Sequence, residues 1–182
     1  GLQEDPEQRR ARLQEALERY QSLASAENVA LYKQTVAAKP GVDPNYPDPA
    51  VTLGIGLIQF DLGNYKAAQE NIGRLLVDRK LGTPTMVIEE NGEEKVVDND
   101  AYWEAMYKLL KSNAELAGAD ETAAKALEES KNHLKRLYIQ WGDRVGGKKW
   151  KDEFAHLRQE LVPDWNENAP SAGSTQPVAA GP

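Results

Sequence analysis

Between Pro6 and Ala38 the apolar residues Leu13, Ala16, Leu17, Tyr20 and Leu23 recur at steps of three and four in a background of Glu, Gln, Arg and Ala. That is the spacing of a helix with one hidden face, written in helix-favouring residues. The pattern predicts two helices or one long one. SLASAEN (22–28) marks the break, because the Ser25 hydroxyl is placed to cap a second helix from about Glu27 to Lys39. KPGVDPNYPDP (39–49) then prohibits helix with four prolines and a glycine. Asp48 before Pro49 predicts the next start, with an acceptor at the cap and proline in the first turn. The helix it opens, AVTLGIGLIQFDL (50–62), is apolar nearly all round and is expected to be buried between neighbours.

Gly63 is placed to end that helix in a left-handed conformation, and Asn64 to cap the one that follows. The interruption predicts a tight helical hairpin, with the small residues Gly56 and Ala68 where its two helices come closest. A second hairpin is expected from Asp100 to Trp141, with Gly118 as its stop and Asp120 as its next cap. KKWKDEFAHLRQEL, with Trp150, Phe154, Leu157 and Leu161 on one face, predicts a closing helix. Between the hairpins, at about 84–98, β-favouring residues flank Asn91-Gly92, the dipeptide of a type I′ turn. A two-stranded ribbon is marginal alone and is expected to lean on the helices or on a partner. From Pro163 to Pro182 the composition turns to Pro, Ala, Gly and Ser, which predicts a flexible tail carrying Trp165.

The stretch from Ala50 to Val77 resembles a tetratricopeptide repeat. Gly56, Gly63, Asn64, Tyr65 and Ala68 stand at that family's small, turn, aromatic and alanine positions, and Ile72 and Leu75 continue the second helix. Thr52 and Lys80 stand where the family has an aromatic residue and a proline. One repeat cannot bury both faces, so similar units are expected on either side. The resemblance implies an all-α fold over residues 6–162, built of antiparallel hairpins stacked as a short solenoid, with residues 1–5 as an extension. It also implies a non-enzymatic interaction or scaffold protein whose concave face holds a peptide or another subunit. The family's clamp for terminal carboxylates uses Lys and Asn, and Asp48 to Leu62 contains neither.

The chain has 182 residues, 40% of them hydrophobic, enough for one core and one domain with tails. A net charge of −7 argues against general nucleic-acid binding. The absence of cysteine excludes disulfides, thiolate nucleophiles and cysteine-held metals. No apolar run is long enough for a transmembrane helix, and no basic-then-apolar leader precedes LQEDPEQRR. A cytoplasmic and an exported or periplasmic location both stay open.

Catalytic signals are weak. GDRVGGKK (142–149) misses the phosphate-loop pattern, because Lys149 replaces the magnesium-binding hydroxyl and the preceding segment reads as helix; an interhelical turn is expected. His133 and His156 form no ligand pair, and Glu129 one turn before His133 is a common solvated spacing. No cofactor or metal is expected. The 29 Asp and Glu residues offer no distinctive pair, which leaves carboxylate-dependent hydrolysis as a residual alternative. Trp103, Tyr107, Tyr138, Trp141, Trp150 and Trp165 cluster in the C-terminal half; Trp103, Trp141 and Trp150 share faces with aliphatic residues and read as core, whereas exposed aromatics would suit a small-ligand or glycan-binding module, and an accessory subunit of an enzyme complex is a further class. Residues 131–151 hold seven Lys or Arg against one Asp, a net of +6 that leaves −13 elsewhere. On a turn richer in glycine than core packing requires, Arg144, Lys148, Lys149 and Lys151 are the expected docking charges for an acidic partner.

Overall fold

Asp5 accepts the backbone N–H of Glu7 (3.2 Å), and Pro6 follows in the first helical turn, where its missing N–H leaves nothing unpaired. The computed structural model describes residues 5–36 and 49–166. Within them lie α1 (Pro6–Leu23), α2 (Ala26–Val36), α3 (Ala50–Asp61), α4 (Tyr65–Val77), β1 (Thr85–Glu90), β2 (Glu93–Asp98), α5 (Asp100–Leu116), α6 (Glu121–Trp141) and α7 (Lys151–Leu161). A short 3-10 turn, Gly142–Arg144, joins α6 to α7. The helical class and its single β-hairpin therefore match the sequence pattern. Ser25 caps α2 through Asn28 N–H (3.3 Å) as expected. The Asp48 cap and the tail from 167 onward lie outside the described residues. Pro49 occupies the cap position of α3 and not its first turn.

The α3–α4 turn closes as a Schellman motif. Gly63, at φ +80°, donates to the Phe60 carbonyl (2.9 Å) and Asn64 N–H to that of Gln59 (2.8 Å). Asn64 does precede α4, but its carboxamide does not cap it; Nδ2 donates instead to Gln59 Oε1 (2.7 Å), across the turn. Tyr65 packs edge-on to Phe60, with centroids 5.5 Å apart. The close approach expected between Gly56 and Ala68 is resolved differently. A Cβ on Gly56 would lie 2.7 Å from Ile72 Cγ1, so Gly56 makes room for Ile72, while Ala68 is fully buried with Ala105 of α5. A second glycine contact, unforeseen in the sequence, seats α1 on α3: the Tyr20 ring fills the space where a Gly54 Cβ would stand.

Helix α5 is the hub and touches α3, α4, α6 and α7. Trp103, Ala105, Met106 and Leu110 are each at most 4% exposed. Trp103 meets Phe154 of α7 and Trp141 of α6 edge-on, at 5.5 and 6.1 Å. The aromatic residues of the C-terminal half thus pack into the core, and Trp165 joins them. Its ring lies 6.2 Å from Tyr138, and the Arg158 guanidinium sits 4.8 Å from Tyr138 and 5.1 Å from Trp165. This stacking moves the start of the expected tail: Pro163 to Asn166 follow α7 back onto the fold. Asp120 caps α6 through Ala123 N–H (2.8 Å), whereas α5 ends before Gly118, which stays out of the left-handed region.

The β-hairpin pairs Glu90 with Glu93 across Asn91 (φ +56°) and Gly92 (φ +80°), the conformation that dipeptide predicts. It does not lean on the helices along its length. Its base is tied by Asn99, which donates its N–H to Pro84 O and its carboxamide to Leu81 O and Thr83 O while accepting Tyr102 N–H. Asp98 Oδ2 accepts Lys148 N–H (3.0 Å). Beyond that base, Val87 and Val96 are 60% and 66% exposed.

Three glycines and alanines of α3 and α4 separate packing from propensity. Gly56→Ala and Ala68→Leu should each destabilise the fold by roughly 1–3 kcal/mol, because the atoms they meet are fully buried. At Gly73 an added Cβ would make ordinary contact with Leu109 Cδ1 (3.6 Å), so Gly73→Ala should stabilise by about 0.5–1 kcal/mol through helix propensity. Urea unfolding of the three variants checks this order, and equal midpoints for Gly56→Ala and Gly73→Ala would overturn it.

Candidate functional site

The bare backbone at Gly73 has a consequence on the surface. With no side chain there to cover Leu109, a groove of about 560 Å³ opens over α5 between α4 and α6. Its floor is apolar: Tyr102, Met106, Leu109 and Leu110 of α5, with Leu76 of α4 beside them. On the rim, Val77 is 81% exposed, and the facing wall carries Glu129, His133 and Arg136. Its volume is large enough for a few apolar side chains.

One end of the groove is fixed by a buried polar chain. Gln69 Nε2 of α4 donates to Asn113 Oδ1 (2.6 Å), and Asn113 Nδ2 donates to Ser130 Oγ of α6 (2.8 Å). Asn113 therefore spans all three helices and holds the walls at a set separation, since breaking the chain would leave buried polar atoms unpaired. Burial raises the Tyr102 hydroxyl pKa, and burial followed by the Arg136 charge lowers that of His133. His133 Nε2 is buried with no hydrogen-bond partner. His133 and Tyr102 both line the groove and add polar atoms to its apolar floor. Among the described residues no three His, Asp or Glu side chains converge as a metal-binding group.

A second concavity, of about 610 Å³, lies between β2 and the α6–α7 turn. Arg144, Lys148, Lys149 and Lys151 all line it, together with Lys95 and the carboxylates of Asp98, Asp100 and Asp143. The structure thus brings the four expected docking charges together. Among the described residues none of the four has a carboxylate partner; Arg144 stacks on Trp141 (5.4 Å) and Lys149 on Trp150 (5.8 Å). The glycines of this turn, however, have a packing role. A Cβ on Gly146 would collide with the Trp150 carbonyl at 2.6 Å, and one on Gly147 with Asp98 at 2.9 Å. Gly142, Gly146 and Gly147 all have positive φ, in a turn preceded by a helix and not by a strand. The basic island is also divided: Lys131 pairs with Glu128 on α6 and Arg136 lines the other groove, so only its second half reaches this cleft.

Gly56, Gly63, Asn64, Tyr65 and Ala68 fall in the α3–α4 hairpin, away from both concavities, and shape the scaffold. The α5 groove escaped the sequence pattern because Leu76, Leu109 and Met106 have the spacing of core residues. Gly73 inside an otherwise regular helix was its one visible signal.

Because the His133 pKa is depressed in the fold, the unfolded chain takes up its proton first as pH falls. The stability linked to neutral His133 is therefore complete above the ordinary histidine value of about 6.5 and declines as pH drops below it towards the folded value. His133→Gln should flatten the loss of stability as pH falls below about 6.5, measured by urea unfolding at each pH; an unchanged slope would place the imidazole in water.

No protein-family model matches the chain, and neither a curated protein nor a solved structure does.

Proposed function

We propose that this is a non-enzymatic interaction protein that holds an amphipathic helical segment of a partner in the groove over α5. The observation that carries the reading is the open apolar trough left by Gly73, floored by Leu109 and Met106 and walled by two helices tied through Asn113. A helix laid in such a trough presents apolar residues at i, i+3, i+4 and i+7. Arg136 on the rim favours an acidic residue beside that apolar stripe. The tetratricopeptide-like reading is supported within the α3–α4 hairpin by the Schellman turn at Gly63 and by Ile72 lodged against Gly56. The aromatic cluster supports a scaffold over a glycan-binding module, since Trp103 is buried and Trp141 and Trp150 pack against Trp103 and Tyr107.

A photoreactive residue in place of Val77 should crosslink to a polypeptide in cells that make the protein. Gly73→Leu, which fills the trough over Leu109, should cut that yield at least tenfold with a melting temperature no lower than that of the wild type. Crosslinks that survive Gly73→Leu would put the contact outside the groove and reject the reading.

A further inference from the structure

The β-hairpin and the basic cleft beside it belong to one surface. The register of the hairpin pairs Ile88 with Lys95 and Met86 with Val97, and in a ladder closed by a two-residue turn these are the pairs that exchange hydrogen bonds. The backbone N–H and C=O groups of Glu94 and Val96 consequently point away from β1. Of the hairpin, only β2 residues line the cleft, from Lys95 to Asp98, so the cleft runs along that outer edge. An edge with unpaired backbone groups is a template for another strand.

The chain itself carries a strand that fits. The hairpin tip is acidic, with Glu89, Glu90, Glu93 and Glu94, and the cleft at the other end of β2 is lined by Arg144, Lys148, Lys149 and Lys151. Of the carboxylates in the cleft, Asp98 is already occupied by Lys148 N–H. Two β2 edges joined antiparallel about a two-fold axis run the Glu93–Glu94 end of each strand towards the basic cleft of the other. Two marginal ribbons become one four-stranded sheet, in which each hairpin supplies the support that the helices of its own chain do not.

We propose that a second copy of this chain docks along β2, its acidic hairpin tip held by Arg144, Lys148, Lys149 and Lys151, to form a two-fold dimer through a shared four-stranded sheet. The proposal stands on the hairpin and its cleft alone and is independent of the groove over α5. The interface is small and belongs to the weak class. It is held partly by exposed charges and weakens as salt rises.

Sedimentation velocity of the full chain, from about 1 μM to about 1 mM, should show a monomer–dimer equilibrium whose dissociation constant rises at least tenfold between about 0.05 and 0.5 M salt. The triple variant Lys148→Glu, Lys149→Glu, Lys151→Glu should lose the dimer, as should the double variant Glu93→Lys, Glu94→Lys, each keeping its melting temperature. An equimolar mixture of the two variants should restore it, because every acidic tip then meets a basic cleft and every basic tip an acidic one. A wild-type chain that stays monomeric throughout, or a mixture no better than its components, would overturn the proposal. A monomer that nevertheless binds a labelled peptide of alternating valine and glutamate would overturn it in favour of a foreign acidic strand.

Discussion

Helix α5 is buried along most of its length, and a buried helix has to find a partner for every polar group it carries. It carries three buried polar side chains that are partnered, beside the Trp103 indole, whose Nε1 is buried without a hydrogen-bond partner. Lys108, with its side chain 8% exposed, reaches Asp61 at the end of α3 (2.9 Å) and Glu104 one turn earlier (3.4 Å), with its ammonium 5.2 Å from the Phe60 ring. Ser112 Oγ donates to the Lys108 carbonyl within the helix, and Asn113 is bonded on both sides. Two of the three solutions reach outside α5, and each fixes a different neighbour. The ion pair stops α3 from sliding past α5, and the carboxamide bridge sets the distance between α4 and α6. A buried ion pair adds little net stability over an apolar replacement, but losing one member leaves a charge stranded. The role of these groups is therefore better seen as fixing one arrangement among several that the apolar residues alone would permit.

That division explains which features were readable in the chain. Turns and caps depend on a few adjacent residues, so Ser25, Gly63, Asn91-Gly92 and Asp120 announced themselves by residue type. Contacts between distant segments leave no such local mark. Gly54, Gly56 and Gly73 are alike in sequence, yet one receives the Tyr20 ring, one receives Ile72 and the third leaves Leu109 uncovered. The basic stretch 131–151 is continuous in sequence and discontinuous on the surface, because α6 ends at Trp141 and its first half faces another side. Asn64 was placed correctly as the residue before α4 but bonds back to Gln59, a choice between two acceptable partners that composition does not decide. Arg79, at φ +55°, ends α4 as Gly63 ends α3, with Lys80 N–H on the Leu75 carbonyl. An arginine in a glycine's conformation marks a stop that residue type conceals.

The two concavities differ in what made them, and the difference bears on what each can hold. The groove over α5 exists because a side chain is missing from a rigid wall; its depth is set by Gly73 and its width by Asn113, so it selects by shape and apolar area. The cleft beside β2 exists because a hairpin tied only at its base stands next to a turn whose glycines let Trp150 and Asp98 approach the backbone. Two of its cations, Arg144 and Lys149, rest on tryptophan faces, which holds their stems in place without neutralising them, while Lys95 is paired with Glu90 (2.9 Å). A surface of that kind selects by charge and by backbone hydrogen bonds, which are indifferent to side-chain shape. Natural edge strands are commonly blunted by charge or proline against unwanted pairing. Here the acidic residues sit at the tip of the hairpin while Val96 and Val97 at the other end of β2 face the cleft.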